Sequence, residues 1–249
     1  SMTYNKKFYD EINLSLENEI DYIIKEIIKL KKIKSIADFG CGNGYWLNTI
    51  KKKNKNIEIL GVDGGWVKKN LKINKKNFIE HDLNKKFKSK KKFDLAISIE
   101  TAEHLNKNSS TTFISTLIES SDIILFSAAI PNQGGVNHIN EQWQSFWNEK
   151  FKVKNFSCFD YLRPKLWNNT KIPFYLSQNI FIYVNNNFLR KNLKIKRKLR
   201  DFPVIISDVV HPSVFKNYKD PKFISFKFII KNLIPIFYYS IMRFLNEKK

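Results

Sequence analysis

The chain has 249 residues, of which 43% are hydrophobic and 14% aromatic, enough apolar mass for a domain-sized core and too much for a disordered chain. Forty-four Lys and Arg stand against 23 Asp and Glu, a formal charge of +21. Two cysteines, Cys41 and Cys158, exclude a disulfide scaffold and a cysteine-based zinc site; with no charge-free apolar run of roughly 18 residues, no transmembrane helix is predicted.

Apolar residues at 20, 23/24, 27/28 and 30 predict a helix over 16–31. A strand at 35–39 runs into a glycine-rich turn, followed by a helix over 45–53. Further strands are expected at 57–63, 77–82, 93–99 and 122–127, with a helix over 109–120 before the last of them. Short apolar strands alternating with helices predict a parallel sheet covered on both faces. A helix is expected over 140–150, then strands at 152–159 and 178–184 with no helix evident between them, which reads as an antiparallel hairpin at the sheet edge. The fold class is therefore α/β, a Rossmann-like doubly wound seven-stranded sheet, parallel with an antiparallel edge hairpin. The domain organisation expected is an N-terminal helical part (1–34), a central domain (35–185) and a helical C-terminal extension (186–249). In that extension, residues 188–200 are strongly basic and amphipathic, and Phe223 to Leu245 is rich in Phe, Ile and Tyr. Two readings stay open for this tail: a helical appendage packing on the domain or on a second copy, or a helix lying on a membrane surface.

The turn after the first strand reads Asp38-Phe39-Gly40-Cys41-Gly42-Asn43-Gly44. Glycines are needed where a backbone turns tightly and a ligand lies against it. The dinucleotide fingerprint would place its last glycine at position 45, which is Tyr45. The spacing G-x-G-x-G, with an acid two before the first glycine, resembles motif I of class I S-adenosylmethionine-dependent methyltransferases. Such a cofactor has no pyrophosphate to be held by amides but carries a positive α-amino group and a sulfonium, so a carboxylate at Asp38 is favourable. Other strand-end signals follow in order: Asp63, about 20 residues beyond the turn, then Asp82-Leu83, then Ser98-Ile99-Glu100-Thr101-Ala102-Glu103-His104-Leu105. The resemblance covers residues 30–185. It implies S-adenosyl-L-methionine as cofactor, with Asp38, Gly40, Cys41, Gly42, Gly44, Asp63, Gly64, Asp82, Leu83, Ile99 and Glu100 around it. Asp63 would take the ribose hydroxyls and Asp82 the adenine amino group. Residue by residue, Asp82 could instead cap a turn, and Glu103 could be a solvated helix residue.

The D/N/S-P-P-aromatic motif of exocyclic-amine methyltransferases does not occur after the fourth strand, and neither cysteine suits a C5 nucleophile. The stretch after the fifth strand, Ile130-Pro131-Asn132-Gln133-Gly134-Gly135-Val136-Asn137-His138-Ile139-Asn140-Glu141-Gln142-Trp143, resembles the G-G-x-x-H-x-N-E-Q-W segment of small methyltransferases from bacterial surface-polysaccharide gene clusters. That resemblance implies O-methylation of a sugar, a sugar nucleotide or a small phospho-substituent such as a phosphoramidate, in capsule or lipopolysaccharide assembly. An alcohol nucleophile needs a base, and histidine has the matching pKa. His138, in the acceptor-side loop, is the first candidate, with His104 second and Glu141 orienting His138; a loop-ordering hydrogen bond is the plain alternative for His138. Trp143 and Trp147 are either core or a sugar platform. No side chain is assigned to a metal.

The charge has a plain source. Lys, Asn and Ile, all with A/T-rich codons, make up roughly 40% of the chain, and only five basic residues are Arg. A dispersed lysine surface argues against a nucleic-acid partner, though an RNA methyltransferase and a membrane-surface lipid or quinone O-methyltransferase stand as alternatives. The oligomeric state is not legible. Residues 1–7 hold no apolar signal core, so the expected location is cytoplasmic, with peripheral contact at the inner membrane surface through the tail.

Overall fold

The structure, a computed structural model, describes residues 17–205 and 207–214. The chain divides into two compact units, one ending at Val209 and one running from Val210; only residues 210–214 of the second are described, and the account below concerns the first. The apolar stretch 223–245 lies outside the described residues.

The element order is α1 (Glu17–Leu30), β1 (Ser35–Phe39), α2 (Tyr45–Lys53), β2 (Glu58–Asp63), β3 (Phe78–Glu80), β4 (Leu95–Ile99), α3 (Ser110–Ser120), β5 (Ile123–Ser127), α4 (Gln144–Lys152), β6 (Phe156–Phe159), α5 (Arg163–Leu166), α6 (Phe174–Asn179), β7 (Phe181–Asn185), α7 (Asn186–Lys191) and α8 (Leu193–Leu199). The strands form one seven-stranded sheet in the order β3-β2-β1-β4-β5-β7-β6. The pairs β1–β2, β1–β4, β2–β3 and β4–β5 are parallel; β7 runs antiparallel to both β5 and β6.

Period-two alternation sorts the strand side chains into two cores. Ile36, Ile59, Leu95, Ile97, Leu125 and Ile182 face the layer that contains α1 and α2. Ala37, Val62, Ala96, Ile124, Phe126 and Tyr183 face the opposite layer, where Phe113 and Leu117 of α3 and Trp147 and Phe151 of α4 pack. Because both faces are covered, the central strands are mostly apolar on both faces rather than alternating. Trp147 is thereby settled as core, while Trp143 is 42% exposed.

Two expectations are corrected. The helix expected from residue 140 begins at Gln144, because the Asn140 side chain is buried and otherwise engaged. Its Nδ2 donates to the carbonyl oxygen of Ala102 and to Ser110 Oγ, each at 3.2 Å. Two short helices, α5 and α6, fill the connection before β7, so β6 and β7 are not joined by a tight turn. Residues 186–199 form two helices broken at Asn192, whose apolar side chains Leu189, Ile195 and Leu199 are buried in the same core as α1. That stripe is used in packing, which leaves to solvent mainly the lysines and arginines of this segment, with Asn187 and Leu193. Among the described residues no helix is long and apolar enough to cross a membrane.

Candidate active site

Parallel strands deliver their loops to one edge of a sheet, and ligands of doubly wound sheets bind there. β1 ends in the glycine turn, where Gly40, Gly42 and Gly44 all take positive φ (86°, 53° and 78°). Gly40 is required twice over. Its backbone is left-handed, and a Cβ there would stand 2.2 Å from the Thr101 side chain. The Gly40 amide donates to the carbonyl of Val62 at 2.8 Å, and Thr101 Oγ1 donates to the carbonyl of Gly40 at 3.5 Å. The turn is thus clamped between the ends of β2 and β4.

Asp38 is 3% exposed and makes no side-chain hydrogen bond among the described residues. Burial, and then the charge of Asp63, push its carboxyl up to about 8. Asp63 accepts from the Gly42 amide at 2.7 Å and from the Gly64 amide at 2.6 Å. Burial pushes it up to about 6 against the lowering effect of those two amides. Each of its oxygens retains a lone pair, but the first role visible is bracing the glycine turn against β2. Cys41 is buried beneath that turn, with its Sγ against Gly61; burial, then the charges of Asp38 and Asp63, hold its thiol protonated.

Asp82 follows β3 and is half-exposed. It accepts from the Asn84 amide at 3.0 Å and the Asn84 side chain at 3.1 Å, and the backbone bond of Asn84 is the main reason its carboxyl lies below the usual range. It caps a turn, while the adjacent Leu83 is buried. Ile99 closes β4, half-buried.

Beyond β4 the backbone is strained. Glu100 sits at φ 48°, an unfavourable conformation for a side chain without local backbone bonding. Its carboxylate is held by Gln133 Nε2 at 2.8 Å and Asn179 Nδ2 at 3.2 Å. Gln133 Oε1 in turn accepts from Asn179 Nδ2 at 2.8 Å and Gln178 Nε2 at 3.1 Å. Burial still holds Glu100 above the ordinary carboxylate range. Glu103 is 0% exposed, so the solvated-helix alternative for it is wrong, and no side chain or well-aligned donor pairs with either of its carboxylate oxygens. Burial, then the charge of Glu100, holds its carboxyl well above the usual range against the lowering effect of its own amide and that of Ala129.

The loop after β5 closes over this group. His138 Nδ1 lies 3.0 Å from Glu141 Oε1, so the expected His138–Glu141 contact forms without the helix it was expected to need. Burial would raise Glu141, but the bond to His138 and the amide of Asn132 outweigh it and leave the carboxyl low. The His138 ring occupies the space a Cβ on Gly135 would need, 2.3 Å from its Nε2. The His104 and His138 rings meet edge-on at 4.8 Å, and His104 Nδ1 lies 3.3 Å from the carbonyl of Asn137. Burial, then His138, depress the His104 imidazole to about 4. His211, the remaining histidine besides His81, belongs to the second unit.

The sequence reading passed over Gln133 and Asn179 as partners of Glu100, and Gln178 as a partner of both. A signal was present, since Gln178 and Asn179 are amides immediately before an otherwise apolar buried strand, and such groups are retained only when hydrogen-bonded.

A family model described as a methyltransferase domain matches residues 14–153. That is more than half of the chain, which belongs to this family. No curated protein sequence matches it. Among solved structures, a Nostoc punctiforme protein assigned as an O-methyltransferase superposes with a TM-score of 0.52 at 12% identity, covering 72% of this chain and 59% of that one. Streptomyces venezuelae DesVI gives 0.55 at 10% identity, over 74% of this chain and all of that one. The methyltransferase domain of bacterial CtHen1 gives 0.51 at 16%, over 69% and 98%. At these identities the likeness is one of fold. The cofactor of the family is S-adenosylmethionine, and the residues here suit it: the buried carboxyl of Asp38, which bonds no side chain among the described residues, stands beside a glycine turn and fits a ligand that brings its own ammonium group.

Proposed function

We propose that this protein is an O-methyltransferase acting on a small carbohydrate or phospho-substituted acceptor. S-adenosylmethionine bound by Asp38, the glycine turn, Asp63 and the Asp82–Leu83 turn supplies the electrophilic methyl. The observation that carries the oxygen reading is the hydrogen-bonded pair His138–Glu141, 3.0 Å apart, in the loop that closes on Glu100 and Thr101 next to the cofactor turn. An acceptor hydroxyl gives its proton to His138 Nε2, while Glu141 on Nδ1 fixes the ring and stabilises the imidazolium. Glu100, fixed by Gln133 and Asn179, is available to a sugar hydroxyl. The lysine-rich surface favours acceptors that carry phosphate. Capsule or lipopolysaccharide assembly is the pathway that fits such an acceptor.

The test has two steps. Calorimetric titration with S-adenosylhomocysteine establishes the cofactor site. Transfer of a labelled methyl group to a panel of sugar nucleotides and sugar phosphates, with the product's methylated atom assigned by NMR, then establishes the acceptor. His138→Asn is expected to leave cofactor affinity nearly intact and to lower turnover roughly 10²–10⁴-fold. Methylation only at nitrogen or carbon, or normal turnover in that variant, would remove the oxygen-and-base reading.

A further inference from the structure

We propose that Glu103, His104 and His138 form a binding site for one divalent transition-metal ion at the acceptor side of the cleft. This rests on the reading that the β4–β5 edge receives the acceptor. One ligand atom from each of the three residues lies within 4.8 Å of the others, a spread that an ion at ordinary bond lengths of about 2.0–2.3 Å spans by small side-chain adjustments. The second observation is independent of that clustering. Glu103 is completely buried, and no side chain or well-aligned donor pairs with either of its oxygens, which only its own amide and that of Ala129 approach. A carboxylate removed from water without a partner is among the costliest groups a fold can hold, so one that persists points to a ligand.

The supporting contacts are those of a built site. Glu141 takes His138 Nδ1 at 3.0 Å, which orients the ring and leaves Nε2 as its donor atom, the usual outer arrangement around a ligating imidazole. The carbonyl of Asn137 at 3.3 Å sets the ring of His104. The amides of Ile139 and Asn140 each donate to the Glu103 carbonyl at 2.9 Å, so the loop carrying His138 is tied by its backbone to the residue that supplies the carboxylate. Two imidazoles and one carboxylate select Mn²⁺, Fe²⁺, Co²⁺ or Zn²⁺ over Mg²⁺ or Ca²⁺, and three protein ligands leave coordination positions open. An acceptor hydroxyl or phosphoryl oxygen takes an open position. A hydroxyl bound there becomes more acidic and releases its proton to solvent. In the loaded chain, His138 therefore gives its Nε2 lone pair to the ion rather than to the acceptor proton.

The experiment uses the full chain stripped with a chelator, then titrated with Mn²⁺ followed by electron paramagnetic resonance and with Zn²⁺ followed by calorimetry. S-adenosylhomocysteine affinity is measured on the same preparations. The expected result is one Mn²⁺ or Zn²⁺ per chain and a metal-dependent rise in melting temperature. Glu103→Gln and His104→Asn should each abolish both, and Glu141→Gln should weaken binding roughly 10- to 100-fold through the orientation of His138. Glu103→Gln keeps the shape of a side chain that has no partner, so it should melt no lower than the metal-free parent; should it not fold, His104→Asn decides. Absence of stoichiometric binding overturns the site, as does binding that survives in either folded ligand variant. Loss of metal binding with cofactor affinity intact in the parent chain sinks this inference alone, whereas failure to bind S-adenosylhomocysteine sinks the reading beneath it.

Discussion

Cofactor binding should release a proton near neutral pH, and Asp38 is the source. Its carboxyl is pushed up to about 8 by burial and by Asp63, so at pH 7 roughly nine chains in ten hold it protonated. An ammonium group docking against it requires the carboxylate. Binding then expels most of one proton, and affinity should climb with pH, by about 1.2 kcal/mol per unit around pH 7, levelling off above pH 8. Without ligand the sign is the reverse. The folded pKa lies above the unfolded value of about 3.9, so the native state binds the extra proton and loses stability as pH rises from about 4 to 8. Asp63, pushed up to about 6, adds to the lower part of that window. The assay is calorimetric titration with S-adenosylhomocysteine in two buffers of different ionisation enthalpy, paired with melting curves of the free protein at pH 5 and pH 8. Asp38→Asn should flatten both pH dependences and weaken binding at pH 8 by about 1.5–3 kcal/mol, the range for a hydrogen bond to a charged group. Equal apparent enthalpies in the two buffers, with a flat affinity profile, would refute the reasoning and remove Asp38 from the ammonium site.

Two further outcomes follow from packing. Gly40→Ala places a Cβ 2.2 Å from Thr101 at φ +86°, and left-handed strain with overpacking should cost roughly 2–4 kcal/mol and abolish cofactor binding; a loss in thermal stability below about 1 kcal/mol would show that the turn relaxes freely. Ending the chain after Asn186 removes Leu189, Ile195 and Leu199 from the core shared with α1, each side chain worth up to about 1.5–3 kcal/mol; such a protein should melt far lower or fail to fold, and an unchanged melting temperature would refute the packing role of α7 and α8.

The parallel half of the sheet was legible because its signals are local and mutually consistent. β1 at 35–39 and α2 at 45–53 fall where apolar runs and the glycine turn place them, and the acids Asp38 and Asp63 stand at the strand ends that the motif spacing implies. The antiparallel edge was expected for want of a helix between the last two strands; the pairing forms although two short helices lie between them, and the strand order was not read from the sequence. What was not legible depends on partners distant in sequence. Nothing local says that Asn140 stays out of a helix to bond Ala102 and Ser110, 38 and 30 residues away. Glu103 carries an ordinary helix-surface sequence signature and is nonetheless fully buried. The amphipathic pattern of 188–200 predicts an apolar stripe correctly, but only tertiary packing decides that α1 covers it.

Several of the places where this chain breaks the general rules of folding lie at one edge of the sheet. Of the four non-glycine residues with positive φ among those described, Glu100, Asn132 and Asn137 lie in the two loops that follow β4 and β5. The unpartnered carboxylate of Glu103 lies in the first of those loops. Asp38, a buried acid with no side-chain hydrogen bond among the described residues, lies near the end of the neighbouring strand β1. Each feature costs stability and is held in place by its surroundings: Glu100 by Gln133 and Asn179, Glu103 by the loop amides on its carbonyl, Gly40 by Thr101. A sequence selected for stability alone would replace a buried, unpaired acid with an apolar side chain. Buried acids without a cationic partner, concentrated at a single edge and ready to ionise, are what a fold retains when its ligands bring positive charge, here an ammonium beside Asp38 and, in the site proposed above, a metal ion between Glu103 and the two histidines.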